Sequence, residues 1–261
     1  MSTMPAAPRL DALTFDLDDT LWDNHQVMVD TESGHYAWLD AALARWLCER
    51  GRSTMPRFSE RFPLPAYVAR RQALAEAHPL RRGDFTWLRT QALRALLTEF
   101  GLADEDAERW ADAAMQRFLT LRHQITPYPE VGDLLARLGR RYRLASITNG
   151  NVDVRRLPLA AHFPVAIAAG ELLAPKPHPR PFLTALARLG TPPARTLHVG
   201  DSWRDDVEPA RRLGMQTAWI AAEAPPHPLP SGVHHLTHVR ELPTLLTRLD
   251  RHTSTSPLWR L

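Results

Sequence analysis

Apolar positions along the chain follow two rhythms, and the change of rhythm divides it. Leu10, Ala12, Leu13 and Phe15 form a short apolar run that predicts a buried strand over residues 10–16. From His25 the spacing turns helical: Leu39, Leu43, Trp46 and Leu47 share one face of a helix stopped near Gly51. Residues 51–65, rich in Arg, Pro and Ser, read as a connection. A second helix is predicted from Pro65 to Ala77. A third is capped by Asp84, with Leu88, Ala92, Ala95 and Leu96 inward and Gly101 as its stop. A fourth runs from Asp104 to His123 with Trp110, Ala114, Phe118 and Leu121 on one face.

Thr126-Pro-Tyr-Pro-Glu130 breaks the helical rhythm, and helix then alternates with strand. Helices are predicted over 131–138, 181–189 and 207–213, each followed by a glycine. Strands are predicted over 142–147, 165–169, 196–199 and 216–221. A proline-rich loop, an edge strand over 234–239 and a last helix through Leu242, Leu245, Leu246 and Leu249 complete the pattern. Such alternation implies an α/β fold: a doubly wound, Rossmann-like parallel sheet with helices on both faces. The first strand stands apart from the others, so one core domain (1–24 and 124–251) carries an all-helical insert (25–123), followed by a tail (252–261).

Composition narrows the class. Of 261 residues, 44% are hydrophobic and 23% charged, ordinary for a chain with a real core. Lys and Arg number 32 against 29 Asp and Glu, an excess of three scattered along the chain. That gives no basic patch for nucleic acid and none for a membrane surface. No stretch approaches the ~18 apolar residues that span a bilayer, and the N-terminus lacks the apolar core of a signal peptide, so a cytoplasmic protein is expected. Cys48, the single cysteine, excludes an internal disulfide; its apolar helical setting predicts a buried thiol.

The candidate chemistry lies where strands end. The first strand runs into Asp16, Asp18 and Asp19. Like charges so close repel, and burial raises the cost; a hard divalent cation such as Mg²⁺ is the obvious candidate to offset it, the alternative being a strand that ends in a polar turn with an Asp capping the next helix. The 142–147 strand ends in Thr148-Asn149-Gly150-Asn151, and Lys176 follows the 165–169 strand. The 196–199 strand ends in Gly200-Asp201, with Asp205 and Asp206 just beyond. In a parallel sheet these ends share one rim.

These four segments, in this order, resemble the motifs of the haloacid dehalogenase superfamily, specifically its phosphatase branch. By that resemblance Asp16 is the nucleophile that forms an aspartyl-phosphate, and Asp18 is the general acid and then the base. Asp18 favours phosphoryl chemistry, because a halide leaves without a proton. The resemblance further implies Mg²⁺ held by the carboxylates of Asp16 and Asp201 and the backbone carbonyl of Asp18. Thr148 with Asn149 and the neighbouring N–H groups would bind phosphate, and Lys176 would neutralise charge. Asp206, preferred over Asp205, would orient Lys176 or the water bound to the cation. The insert matches the superfamily's helical cap, hinged near 22–24 and 123–128, with Arg89 as the cap residue expected to reach the cleft. Phe15–Asn24, Ile147–Asn151, Leu197–Asp201 and Gly214–Ile220 also resemble the bacterial flavin mononucleotide phosphatases, which act too on the phosphorylated ribitylamino-pyrimidine of riboflavin synthesis. A phosphatase of a small-molecule phosphate ester is therefore expected. The alternatives are a sugar-phosphate phosphatase, a phosphomutase or a non-catalytic binding protein on the same fold. Monomer and homodimer are both open.

Overall fold

The structure, a computed structural model, describes residues 9–254 apart from 224 and 226. Six strands form one parallel sheet: β1 (Ala12–Phe15), β2 (Arg143–Thr148), β3 (Val165–Ala168), β4 (Thr196–Gly200), β5 (Gln216–Ile220) and β6 (Val233–Leu236). Their order is β3-β2-β1-β4-β5-β6. The central strand β1 is buried at every residue, which is why its sequence shows no polar alternation. On either side of β1 the strand order runs in opposite directions, and such a switch point opens a crevice at the strands' C-terminal ends. Asp16 is the first residue past β1.

Helices cover both faces. Leu134, Leu135 and Leu138 of α6 (Val131–Gly139) and Leu242, Leu245 and Leu246 of α9 (Leu242–Ser254) pack with Leu13 and Phe15 of β1. On the other face Phe182, Ala185 and Leu186 of α7 (Arg180–Leu189), with Ala210 of α8 (Glu208–Arg212), cover Ala12, Ala145 and Ile147. The helix predicted over 207–213 begins with a π-type turn, Trp203–Val207, before α8. The last helix runs to Ser254, through the first three residues of the predicted tail. The tail's Leu258 and Trp259 lie outside the described residues. Among the described residues no helix is long and apolar enough to cross a membrane.

Between β1 and α6 the chain makes α1 (Asn24–Glu49), α2 (Phe58–Arg61), α3 (Leu64–Ala77), α4 (Phe85–Phe100) and α5 (Asp104–Arg122). Their apolar stripes meet in a cluster of their own, including Leu39, Leu43, Leu93, Leu97 and Ala111. The side chain of Asp23 caps α1 and that of Asp84 caps α4; Gly101, at φ 103°, ends α4 in the left-handed region. Two expectations are corrected here. The connection over 51–65 contains the short helix α2. Cys48 is exposed: the inward face of α1 is set by Leu39, Leu43 and Leu47, and the next residue lies about 100° further round, towards solvent.

One imidazole inside this insert makes a test. His35 is fully buried among the rings of Tyr36, Tyr67 and Phe118, donates from Nδ1 to the Thr31 carbonyl, and has no partner at Nε2. Burial lowers its pKa below the ordinary 6.5, so it is held neutral. With the folded value depressed, the unfolded chain takes up the proton first. The stability His35 contributes is therefore present above pH 6.5 and lost as pH falls through its folded value. Compared with His35→Phe, the wild type should lose melting temperature as pH drops below 6.5; parallel pH profiles for the two proteins would refute this.

Candidate functional site

Thr14 and Asp16 stand at opposite ends of one buried polar chain. Asp16 follows the last β1 residue and is tied to β4 by its N–H, which donates to the Val199 carbonyl at 2.8 Å. Lys176 Nζ donates to Asp16 Oδ1 at 2.6 Å and to Asp206 Oδ1 at 2.5 Å. Asp206 Oδ1 is also 3.1 Å from His198 Nε2, and His198 Nδ1 is 2.8 Å from Thr14 Oγ1. With Nε2–H facing the carboxylate, Nδ1 accepts from the threonine hydroxyl, so the contacts fix the tautomer. Burial lowers the pKa of His198 and keeps it neutral, despite Asp206. Gly200 makes room for this arrangement: a Cβ there would lie 2.5 Å from Asp206 Cγ. Of the two acids after Asp201, Asp206 is the one on Lys176, while Asp205 is half-buried and lines the rim cavity.

The other side of the rim is the turn after β2. Asn149 clamps the backbone of Lys176 at both ends, donating to its carbonyl at 3.0 Å and accepting from its N–H at 2.8 Å. The Asn149 side chain is thus taken up in placing Lys176, and what it can offer an anion is its backbone N–H. Thr148 Oγ1 accepts from the Gly150 N–H at 2.9 Å, leaving its hydroxyl proton free to donate to a ligand.

Asp18 faces this turn. Its carboxylate accepts from Trp22 Nε1 at 2.9 Å and from Arg122 Nη2, which lies 2.6 Å from both oxygens. Asp19, at φ 57°, also borders the rim cavity, and its carboxylate accepts the Asn24 N–H at 2.8 Å. Arg89 is buried within the insert. Its guanidinium donates to Glu32 at 2.7 Å, lies 4.4 Å from the Phe118 ring centre, and reaches the rim only through Asn151, at 3.4 Å.

A cavity of about 160 Å³ is walled by Asp16, Asp18, Thr148, Lys176, Asp201 and Asp206, among others. A second, of about 340 Å³, shares Thr148, Asn149 and Gly150 as wall and has Asp84, Phe85 and Thr86 of the insert opposite. Arg89 lines neither. The insert is seated closely here: a Cβ on Gly83 would lie 2.3 Å from Pro175 Cγ.

The charges at the rim are out of balance. Carboxylate oxygens of Asp16, Asp201 and Asp206 lie within 4.8 Å of one another. Lys176 is the one cation hydrogen-bonded to this trio among the described residues. Burial raises Asp16 well above the usual carboxylate range even with Lys176 beside it, and Asp206 and Asp18 add to the rise. Burial, reinforced by Asp206, brings Asp201 up to about 6. Burial pushes on Asp206 too, but Lys176 and His198 outweigh it and hold that group at about 2. Asp16 thus lacks stabilisation for its charge, and a hard cation bound by oxygen donors fits what is missing.

Arg122, Trp22 and His198 do not emerge from motif spacing as site residues. For Arg122 a signal did exist: the buried stripe Ala107, Ala111, Ala114, Phe118 continues by one four-residue step to position 122.

The sequence model of the haloacid dehalogenase-like hydrolases matches residues 10–214. The chain is 34% identical, over 82% of its length and 85% of the relative's, to the 5-amino-6-(5-phospho-D-ribitylamino)uracil phosphatase YigB of Escherichia coli. It is 32% identical, over 80% of its length and 87% of the relative's, to the phosphoserine phosphatase of Thermus thermophilus. A solved structure, that of a 2-haloacid dehalogenase from Pseudomonas syringae pv. Tomato DC3000, superposes with a TM-score of 0.78 at 34% identity, covering 92% of this chain and 99% of that one.

Proposed function

The chain belongs to the haloacid dehalogenase-like hydrolases, and from that premise we propose a phosphoric monoester hydrolase that works through an aspartyl-phosphate. The observation that carries the reading is the pairing of Asp16, on Lys176, with Asp18, whose carboxylate faces the same cavity. The Asp16 carboxylate attacks phosphorus as the bond to the leaving oxygen breaks, and Asp18 gives that oxygen a proton. In the second step Asp18 takes a proton from water, whose oxygen displaces Asp16 from phosphorus. Lys176 opposes the repulsion between Asp16 and a dianionic ester. The Thr148 hydroxyl and the N–H groups of the turn after β2 hold phosphate oxygens.

The carboxylates of Asp16 and Asp201 and the backbone carbonyl of Asp18 would hold Mg²⁺, with the Asp206 carboxylate alongside. When bound, the ion supplies positive charge that keeps Asp16 ionised and draws the phosphate in. A dehalogenase reading would leave Asp18 without a task, since a halide departs unprotonated; a binding protein would need neither Asp16 nor Asp18.

For the substrate we take 5-amino-6-(5-phospho-D-ribitylamino)uracil or flavin mononucleotide, which places the enzyme in riboflavin biosynthesis. The E. coli relative supports this, as does the cavity of about 340 Å³ beside the phosphate turn. That volume suits a ring-bearing leaving group better than the small one of phosphoserine. The test is phosphate release from these two esters, phosphoserine and a set of sugar phosphates, with Mg²⁺ and with chelator. The expected result is a kcat/KM at least about tenfold higher for the ribityl esters, and loss of activity in chelator. Preference for phosphoserine or a sugar phosphate would overturn the substrate, and full activity in chelator would overturn the metal.

A further inference from the structure

Arg122 is the last residue of α5, where the insert returns to the sheet, and it is 1% exposed. Its Nη2 lies 2.6 Å from both carboxylate oxygens of Asp18, a residue 104 positions earlier. The two oxygens differ. Oδ1 also accepts from Trp22, so it is anchored twice. Oδ2 has Arg122 alone and turns to the phosphate-binding turn, where a Cβ on Gly150 would meet it at 2.8 Å. An acid that protonates a leaving group can use this asymmetry: one oxygen is anchored by two donors, while the other, held by Arg122 alone, keeps a lone pair to carry the proton towards the substrate.

A hinge staple would account for a buried ion pair as such, but the details point elsewhere. Arg122 Nη1 is buried with no partner, so the guanidinium is kept at a desolvation cost that an apolar residue would avoid. Its partner lines the reaction cavity. The neighbouring His123 accepts the Asp153 N–H at 3.0 Å, and the Tyr128 N–H donates to the Leu21 carbonyl at 3.0 Å, so the crossing is already fastened without the arginine.

We propose that Arg122 is a positioning residue for the proton-transferring group: it presents Asp18 Oδ2 to the leaving oxygen only while the insert is seated on the rim. The inference rests on the phosphatase reading above. It makes the end of α5 part of the acid–base machinery, so the insert acts on the proton step as well as on the choice of substrate.

The experiment measures kcat/KM, which reports the first phosphoryl transfer, across monoesters running from p-nitrophenyl to alkyl phosphates. Alkoxides need a proton to leave and p-nitrophenolate does not. Arg122→Ala should lose about 30-fold or more on alkyl esters, at least about tenfold more than on p-nitrophenyl phosphate. Guanidinium in solution should restore part of the difference. In an Asp18→Asn background the same substitution should add nothing on alkyl esters. A loss equal across leaving groups, or no loss, overturns the proposal. Should the alanine variant fail to fold, Arg122→Lys is read by the same ratio between alkyl and aryl esters. Wild type inactive on every ester would instead sink the phosphatase reading itself.

Discussion

Substitution of Asp16 by asparagine is expected to lower phosphate release by at least about 10⁴-fold, with the fold kept. The amide is nearly isosteric, and its oxygen can still accept from Lys176 Nζ, which lies 2.6 Å from Oδ1 in the wild type. What is lost is the electron pair that attacks phosphorus. Stability should move the other way. The folded value of Asp16 is raised well above its usual 3.8, so the stability linked to this group is full below that pH and lost as pH rises through the folded value. Without added Mg²⁺ at neutral pH, Asp16→Asn should therefore melt no lower than the wild type. An acid-quenched turnover sample should carry a phosphoryl group on the wild-type chain and none on the variant, read by intact-protein mass. Substantial turnover by the variant would remove Asp16 from the chemistry. A large drop in melting temperature would mean its main task is holding the rim together.

The rim could be read from sequence because parallel strands buried on both faces leave nowhere else for charge. β1 and β4 are buried and carry no acid up to their last residues, so the acids that follow must stand at the strand ends. The sheet order then puts those ends side by side. The groups that hold the acids in place were not legible in the same way. His198 sits inside β4, where a polar residue between Leu197 and Val199 says nothing of its partners; the β1–β4 register, pairing Thr14 with His198, explains it. Arg122 extends an inward helical stripe, but a cation at the end of a helix also suits the helix dipole, and pattern alone cannot choose. Cys48 shows the same limit in reverse. Apolar neighbours in sequence are not neighbours on a helix, and one residue of rotation took it to the surface. Position along the chain fixes which residues reach the rim; what each one touches is decided by packing between segments far apart in sequence.

Lys176→Met should combine the largest stability effect with a loss of activity of about 10³-fold. Nζ is enclosed with two carboxylates at 2.6 and 2.5 Å, and the side chain is 2% exposed. Removing the cation leaves Asp16 and Asp206 facing each other in a buried site, a defect that costs about 3–5 kcal/mol. The placement of the backbone is not at issue, because Asn149 holds the N–H and carbonyl of residue 176 whatever its side chain. The deficit should depend on pH. In the wild type Asp206 is held at about 2, so the stability it contributes is present above 3.8 and lost only as pH falls through about 2. In the variant both acids have lost their cation and take up protons at higher pH, so the buried repulsion fades as the solution is acidified. Urea melts of the two proteins should therefore converge as pH is lowered from about 8 to about 5. A deficit that stayed constant over that range would mean methionine merely packs badly there. Activity retained within about tenfold of wild type would show that Lys176 serves the fold and not the reaction.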